Sequence, residues 1–371
     1  MDKKESINLN TYFPALDGIR FLAVFMVMFS HWVIYSQLKE INSVLGATGV
    51  NIFFTLSGFL ISRILLVQKV QYQQKGLALF RSFYARRALR IFPLYYLVLL
   101  IGLIIAIPGA RESFLRLAFF VVNIPGNNWI TPPVGIYNHF WSLATEEQFY
   151  IFLPFLLMVI PSKFLQHFFW GLIAVGLLSR LYIYSTDLSF YHKRWVVYTV
   201  TPCCFDSFGL GGILAWYLCF RPSALEKIFR GHWFAIISLL LFLGAGSLKM
   251  KEAENPVANM LLRFSGSFWA CWMIGGIVCK KIPGWLNRFF LHPLVVYLGK
   301  ISFGLYVIHP FVSWGIGRLR LYYPDFPFSI MVYAIIYALL TILLASLSWK
   351  YFEKPLNALK RRFPYKGEEK N

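Results

Sequence analysis

Apolar residues in this chain come in blocks of roughly twenty, the length an α-helix needs to cross a hydrocarbon layer about 30 Å thick at about 1.5 Å of rise per residue. The blocks recur along all 371 residues. No single soluble core could bury them, since 58% of the chain is hydrophobic and only 14% is charged, against about 45–50% and about 25% in ordinary soluble domains. The 21 Tyr and 12 Trp often stand near block ends, where amphipathic rings favour the headgroup region. The pattern predicts an all-α, polytopic transmembrane helical bundle.

Spans are expected at about 15–37, 48–67, 91–109, 141–161, 166–184, 198–220, 233–248, 258–279, 294–318 and 328–349, ten in all. Phe114–Ile124 is too short to cross and runs into Pro125, Gly126, Asn127, Asn128, Pro132 and Pro133, so it is expected to be re-entrant or interfacial. Ten spans put both termini on one side. With that side cytoplasmic, 22 Lys and Arg lie in inside segments and 8 in outside ones, the imbalance that orients membrane proteins. An eleventh span at Phe114–Ile124 would put Lys280, Lys281 and the basic C-terminal tail outside. The expected organisation is a cytoplasmic tail over 1–14, a membrane domain over 15–349 and a basic cytoplasmic tail over 350–371.

The net charge of +20 is carried by loops and tails, so it reads as orientation rather than nucleic-acid binding. Cys203, Cys204, Cys219, Cys271 and Cys279 all fall in apolar blocks without a C-x-x-C pair, so neither a metal site nor a disulfide framework is expected. The first block contains Asp17 and Arg20 and lacks a small-x-small cleavage site, which argues against a signal peptide.

Arg20, Arg63, Arg180, Arg263, Lys300 and Arg318 nevertheless fall inside spans, with Asp17, Glu146, Glu147 and Asp206. Charges there usually face a bundle interior or a wet cavity. Arg20 and His31 are eleven residues apart, which returns to within about 20° of one helix face at about 16 Å of axial separation. That spacing suits a long ligand with its anionic head at Arg20 and its reactive tip near His31; snorkelling and helix-to-helix bonding are the plain alternatives. Glu146 lies at a depth similar to His31 and is expected to orient its imidazole; for it and Glu147 the plain alternative is an interfacial glutamate touching headgroup water. Arg180 and Asp206 are expected either to pair structurally or to touch substrate. Arg87 and Arg90 share a helix face before the third span and suit phosphates, with topology or anionic lipid as the alternative. Pro310 is expected to kink the ninth span, and His309 beside it stays open between packing and substrate contact. Gly209, Gly211 and Gly212 read as helix packing, since no strand precedes them to make a phosphate loop.

Five stretches together resemble the acyltransferase 3 family of bacterial membrane O-acyltransferases: Leu16–Arg20 through His31, Gly49–Phe54 through Phe59, Phe83–Arg87 through Pro93, Trp141–Tyr150, and Leu298–Phe303 through His309-Pro310. The resemblance implies a multi-pass protein of the bacterial cytoplasmic membrane with acyl-CoA, usually acetyl-CoA, as donor and no metal. It implies a carbohydrate or glycolipid acceptor, and membrane lipids around it. The family's Arg-x10-His motif falls on Arg20 and His31, its Arg-x-x-Arg motif on Arg87 and Arg90, and its Trp-Ser-Leu and Glu-x-Gln-Phe-Tyr block on Trp141 to Tyr150. Some members carry a fused extracytoplasmic esterase-like domain; none is expected after the last span here, so any accessory module that handles the acceptor is expected to be a separate protein.

The expected mechanism places CoA phosphates on Arg87, Arg90 and Arg20, and the thioester near His31. His31 acts as general base with Glu146 orienting it, and an acyl-histidine intermediate is the open variant. Arg180, Asp206, His309 and Trp141 are the candidate acceptor contacts. A transporter or flippase for a lipid-linked sugar is the rival reading, since intramembrane charges also mark transport pathways.

Overall fold

A computed structural model describes residues 11–32, 39–74, 76–126, 134–251, 255–322 and 330–367. Asn127, Asn128, Pro132 and Pro133, the outer end of the first expected span and the outermost residues of both tails lie outside them. Helices make up most of the described chain, and no strand occurs among its residues. In order they are α1 (Pro14–Trp32), α2 (Lys39–Val70), α3 (Leu77–Ile104), α4 (Phe114–Ala118), α5 (Trp141–Val159), α6 (Leu165–Ser185), α7 (Phe190–Thr199) and α8 (Phe205–Phe220). There follow α9 (Pro222–Ile228), α10 (Trp233–Lys251), α11 (Pro256–Val278), α12 (Gly284–Leu291), α13 (Pro293–Lys300), α14 (Ser302–Tyr322), α15 (Ile330–Ser348) and α16 (Lys354–Ala358).

Among the described residues seven helices are long and apolar enough to cross a membrane, or up to nine if each of two bent pairs, α9–α10 and α13–α14, is one span. Nine of the ten expected spans fall on these. The other, 141–161, is α5, a 19-residue helix whose apolar character is lowered by Glu146, Glu147 and Gln148. Phe114–Ile124 crosses nothing: α4 lasts five residues, and buried Asn123 ties the chain after it to Thr145, Thr199 and Thr201.

The centre of the bundle is α2, which packs most extensively on α8 and also meets α1, α11 and α5. Two glycines permit the α2–α8 approach. A Cβ on Gly58 would collide with the Phe208 backbone, and one on Gly211 with the Thr55 carbonyl. The Gly209–Gly212 run is thus helix packing, as its context suggested.

Three differences from expectation matter for the site. The third span begins earlier than 91, so Arg86, Arg87 and Arg90 ride on α3 itself rather than on a segment that precedes the span. The break in the ninth span is not at Pro310: α14 runs through that proline, and the 70° bend falls between α13 and α14. There Gly299 is pressed against the Asp17 carbonyl, so close packing on α1 sets the corner. Residues 350–367 do not trail away either. The helix continues from α15 through a π turn at Trp349–Glu353 into α16, and the chain then lies along α3, where the Ser82 hydroxyl donates to the Pro364 carbonyl at 3.0 Å and Tyr365 is buried.

Gly211→Ala is expected to destabilise the bundle by about 1–3 kcal/mol, because the added methyl meets backbone that cannot rotate away. Thermal unfolding of the detergent-solubilised protein measures it; a wild-type midpoint would show that α2 and α8 are not locked this way.

Candidate active site

Two neighbouring cavities are lined by the described residues. The smaller, about 330 Å³, is lined by Arg20 of α1, Arg86, Arg87 and Arg90 of α3, Glu146 and Tyr150 of α5, and Lys360 beyond α16. The larger, about 890 Å³, contains His31, His139, Trp141 and Arg180 in its wall. Both are lined by Val50 and Tyr306, so they meet end to end across those two side chains. The smaller lies toward the N-terminal end of α1 and the larger toward its C-terminal end, in keeping with the axial distance between Arg20 and His31.

The expected trio of Arg20, Arg87 and Arg90 does share one cavity. Arg20 is paired with Asp17, whose other carboxylate oxygen accepts from the Tyr12 hydroxyl. Arg87 lies over the Tyr150 ring, 4.1 Å from its centroid, which holds the guanidinium in place by cation–π attraction. Arg86 and Lys360 join them. Glu146 is the one carboxylate among the described residues of this lining, so the described wall is strongly basic. Lys360 could not be found from pattern alone, because it reads as one of several basic residues in a tail.

Glu146 and His31 are not partners. Glu146 accepts from Ser57 Oγ at 3.0 Å and from the Tyr150 hydroxyl at 2.9 Å, and it faces the arginine cavity. The cause is the geometry of α5. Trp141 stands at the level of the larger cavity, and Glu146 is five residues further in, about 7.5 Å along the helix.

The partner of His31 is His309. Their Nδ1 and Nε2 atoms are 2.8 Å apart, and the rings lie end to end, 5.0 Å between centroids and within 13° of parallel. Pro310 explains the arrangement. Its missing N–H deprives the Tyr306 carbonyl of its helix donor, and His309 Nδ1 supplies the bond instead at 2.7 Å. A carbonyl can only accept, so Nδ1 of His309 carries the hydrogen and Nε2 of the neutral ring holds the lone pair. His31 Nδ1 must then donate, which leaves the Nε2 lone pair of His31 available as a base.

His139, a residue without a sequence signal of its own, is arranged in the same way. Its Nδ1 donates to the Ile136 carbonyl at 3.0 Å, and its buried Nε2 has no partner. Its ring contacts that of His309 at 5.3 Å. Tyr306 divides the two cavities with its hydroxyl donating to the His139 carbonyl at 2.6 Å and bonded to Ser142 Oγ at 2.6 Å. Trp141 and Ser142, adjacent in sequence, thus face opposite cavities.

Arg180 and Asp206 form a buried ion pair at 2.7 Å. Arg180 lines the larger cavity and Asp206 stands behind it. Among the described residues no group of three or more His, Cys, Asp or Glu side chains could hold a metal ion.

The family model described as an acyltransferase domain matches residues 13–350. The chain belongs to the acyltransferase 3 family. Similar proteins include one from Staphylococcus aureus (strain COL) named "Putative O-acetyltransferase", 29% identical over 376 residues, and O-acetyltransferase OatA of Staphylococcus aureus (strain NCTC 8325 / PS 47), 26% identical over 379. Each match covers 93% of this chain and 57% of the relative, so the chain spans a little over half the length of these proteins. No solved structure matches it significantly. With its apolar helices, this member of the acyltransferase 3 family is a multi-pass integral membrane protein.

Asp206→Asn leaves the Arg180 charge buried and unpaired, a change expected to lower stability by roughly 3–5 kcal/mol. The double variant Arg180→Gln/Asp206→Asn is expected to recover part of that loss. Thermal unfolding of the three proteins decides it, and a single variant as stable as wild type would remove the pair from the fold's supports.

Proposed function

We propose that this protein is a membrane-embedded O-acyltransferase that moves an acyl group, acetyl being expected, from cytosolic acyl-CoA to a hydroxyl of an extracytoplasmic carbohydrate such as lipopolysaccharide, exopolysaccharide or another glycoconjugate. One observation carries the reading: a basic cavity and a histidine-bearing cavity meet at Val50 and Tyr306. A donor with phosphates at one end and a thioester at the other fits the first. A sugar hydroxyl fits the second.

In this reading Arg20, Arg86, Arg87, Arg90 and Lys360 hold the donor's phosphates, because planar guanidinium groups match oxyanions in pairs of hydrogen bonds. His31 Nε2 takes the proton of the acceptor hydroxyl as its oxygen attacks the thioester carbon. The C–O bond forms, the C–S bond breaks, and the imidazolium returns its proton to the departing thiolate. His309 holds the tautomer and orientation of His31, the part that a carboxylate plays in many histidine sites. Glu146 belongs with the donor arginines and with Tyr150 rather than with the base.

The orientation proposed from charge has ten spans, with α5 among them, and both termini in the cytosol. It puts the arginine cavity on the donor's side of a bacterial cytoplasmic membrane. Residues 350–367 then wall the donor cavity on that side.

Transfer of labelled acetyl groups from acetyl-CoA in proteoliposomes tests the function. His31→Ala, at equal protein level, is expected to lose about 10²–10⁴-fold in rate; undiminished transfer would end the catalytic role of His31. Arg87→Gln should instead raise KM for acetyl-CoA with a smaller change in kcat, because its bond is to a part of the donor that does not react.

Pro310→Ala separates the positioning of His31 from its chemistry. The new N–H competes for the Tyr306 carbonyl and releases His309 Nδ1, so kcat is expected to fall while KM for acetyl-CoA holds. An unchanged kcat would show that the His309 tautomer is not what holds the base.

A further inference from the structure

The larger cavity is cationic to a degree that a neutral sugar does not require. Arg180, Arg194, Arg263 and Arg318 line it, and no aspartate or glutamate is among the described residues of the lining. Asp206, behind the wall, offsets one of the four charges. Arg194 and Arg318 are exposed at the cavity, but the other two are deep, with Arg180 1% and Arg263 6% exposed.

The deep guanidinium groups also hold unused donors. Arg180 donates from Nη2 to Asp206, while its Nε and Nη1 are buried without a partner. Arg263 donates from Nη1 to the Val197 carbonyl at 3.0 Å and from Nη2 to Cys204 Sγ at 2.8 Å, and its Nε is unpartnered. Buried donors are nearly always satisfied, so three unpaired guanidinium nitrogens on the two deep arginines of one cavity point to an acceptor atom supplied by a ligand. Trp141, Trp195 and Trp314 contribute flat surfaces to the same wall.

We propose that the acceptor is an anionic glycan, one that carries a carboxylate or a phosphate, with that oxyanion bound by Arg180 and Arg263 while a hydroxyl of the same molecule reaches His31. Arg194 and Arg318 sit at the rim and draw it in. The proposal rests on the acyltransfer reading for the role of the hydroxyl, but the charge of the ligand can be tested without transfer.

The experiment is a tryptophan-fluorescence titration of the purified full chain with three probes, a trigalacturonate, a phosphorylated sugar and a neutral galactose trisaccharide. Charge-assisted hydrogen bonds predict that at least one charged probe binds about tenfold or more tightly than the neutral one. Inorganic phosphate should displace it. Arg194→Gln/Arg318→Gln should weaken that preference, and Arg263→Lys, which keeps the charge but removes the planar fork, should weaken it further. Arg87→Gln should leave it intact.

Equal binding of charged and neutral probes, or binding of none, overturns the proposal. So does a charge preference lost in Arg87→Gln and kept in the larger-cavity variants, since the anion would then occupy the smaller cavity. If trigalacturonate alone shows the preference, the oxyanion is a carboxylate, and if the phosphorylated sugar alone does, a phosphate; either supports the proposal. Labelled acetyl transfer is measured separately. Charge-selective binding without transfer to any probe would count against the acyltransferase reading and not against the anionic ligand.

Discussion

Hydrocarbon supplies no hydrogen-bond partner to a peptide group, and this constraint governs far more of the molecule than the choice of helices. At several helix ends and breaks, a polar side chain from elsewhere in the chain has been brought to the backbone. The Lys69 ammonium donates to the Leu157 carbonyl at 2.6 Å, in the last turn of α5, where free carbonyls and the negative end of the helix dipole both favour a cation. Gln148 donates to the Phe120 carbonyl at 2.7 Å and to Asn123 Oδ1 at 2.9 Å, closing the segment that turns back after α4. Arg263 does the same for Val197 and Tyr198 ahead of α8. The charges of Lys69 and Arg263, both carried on long helices, thus fasten carbonyls in the last turns of α5 and α7.

The same rule turns a packing feature into chemistry at Pro310. A proline in a helix frees one carbonyl, here that of Tyr306, and a freed carbonyl in this setting must be given a donor. His309 gives it, and in doing so fixes which of its nitrogens carries hydrogen. The next ring in line, His31, inherits the opposite assignment. A backbone defect four residues back along α14 therefore sets the protonation pattern of a candidate base on α1. The glycine contact between Gly299 and Asp17 draws the α13–α14 corner onto the same helix, so the two rings are held by packing as well as by their bond.

The sequence carried the helices, the non-crossing segment after α3 and the shared cavity of Arg20, Arg87 and Arg90, because each depends on short-range patterns: block length, breaker residues and helical spacing. It did not carry the pairings between distant helices. His31 and His309 are 278 positions apart, and hydropathy reports how deep a residue lies but not which way round its helix it faces. Glu146 was assigned to His31 on depth alone and stands instead beside Ser57 and Tyr150. Lys360 was hidden by its neighbours, since a basic run after the last apolar block looks the same whether it trails free or folds back on α3. His139 falls in a short 3-10 turn, Gly135–Phe140, for which neither helical nor strand periodicity gives a sign.

The division between the cavities is as consequential as their contents. A single open passage across a membrane would let water and ions through along with the donor's arm. Val50 and Tyr306 are 7% and 6% exposed, and Tyr306 is tethered by its hydroxyl to two groups beside the entrance of α5, so the barrier is narrow and held in position. The Tyr306 ring contacts His309 at 5.7 Å, which in turn contacts His31. The barrier and the base therefore belong to one packed cluster of rings. Under the proposed transfer, a thioester at the level of Tyr306 advances only past the edge of those rings to meet a hydroxyl at His31 while its phosphates stay behind among the arginines, so that the acyl group passes from one side to the other without the molecule that carries it.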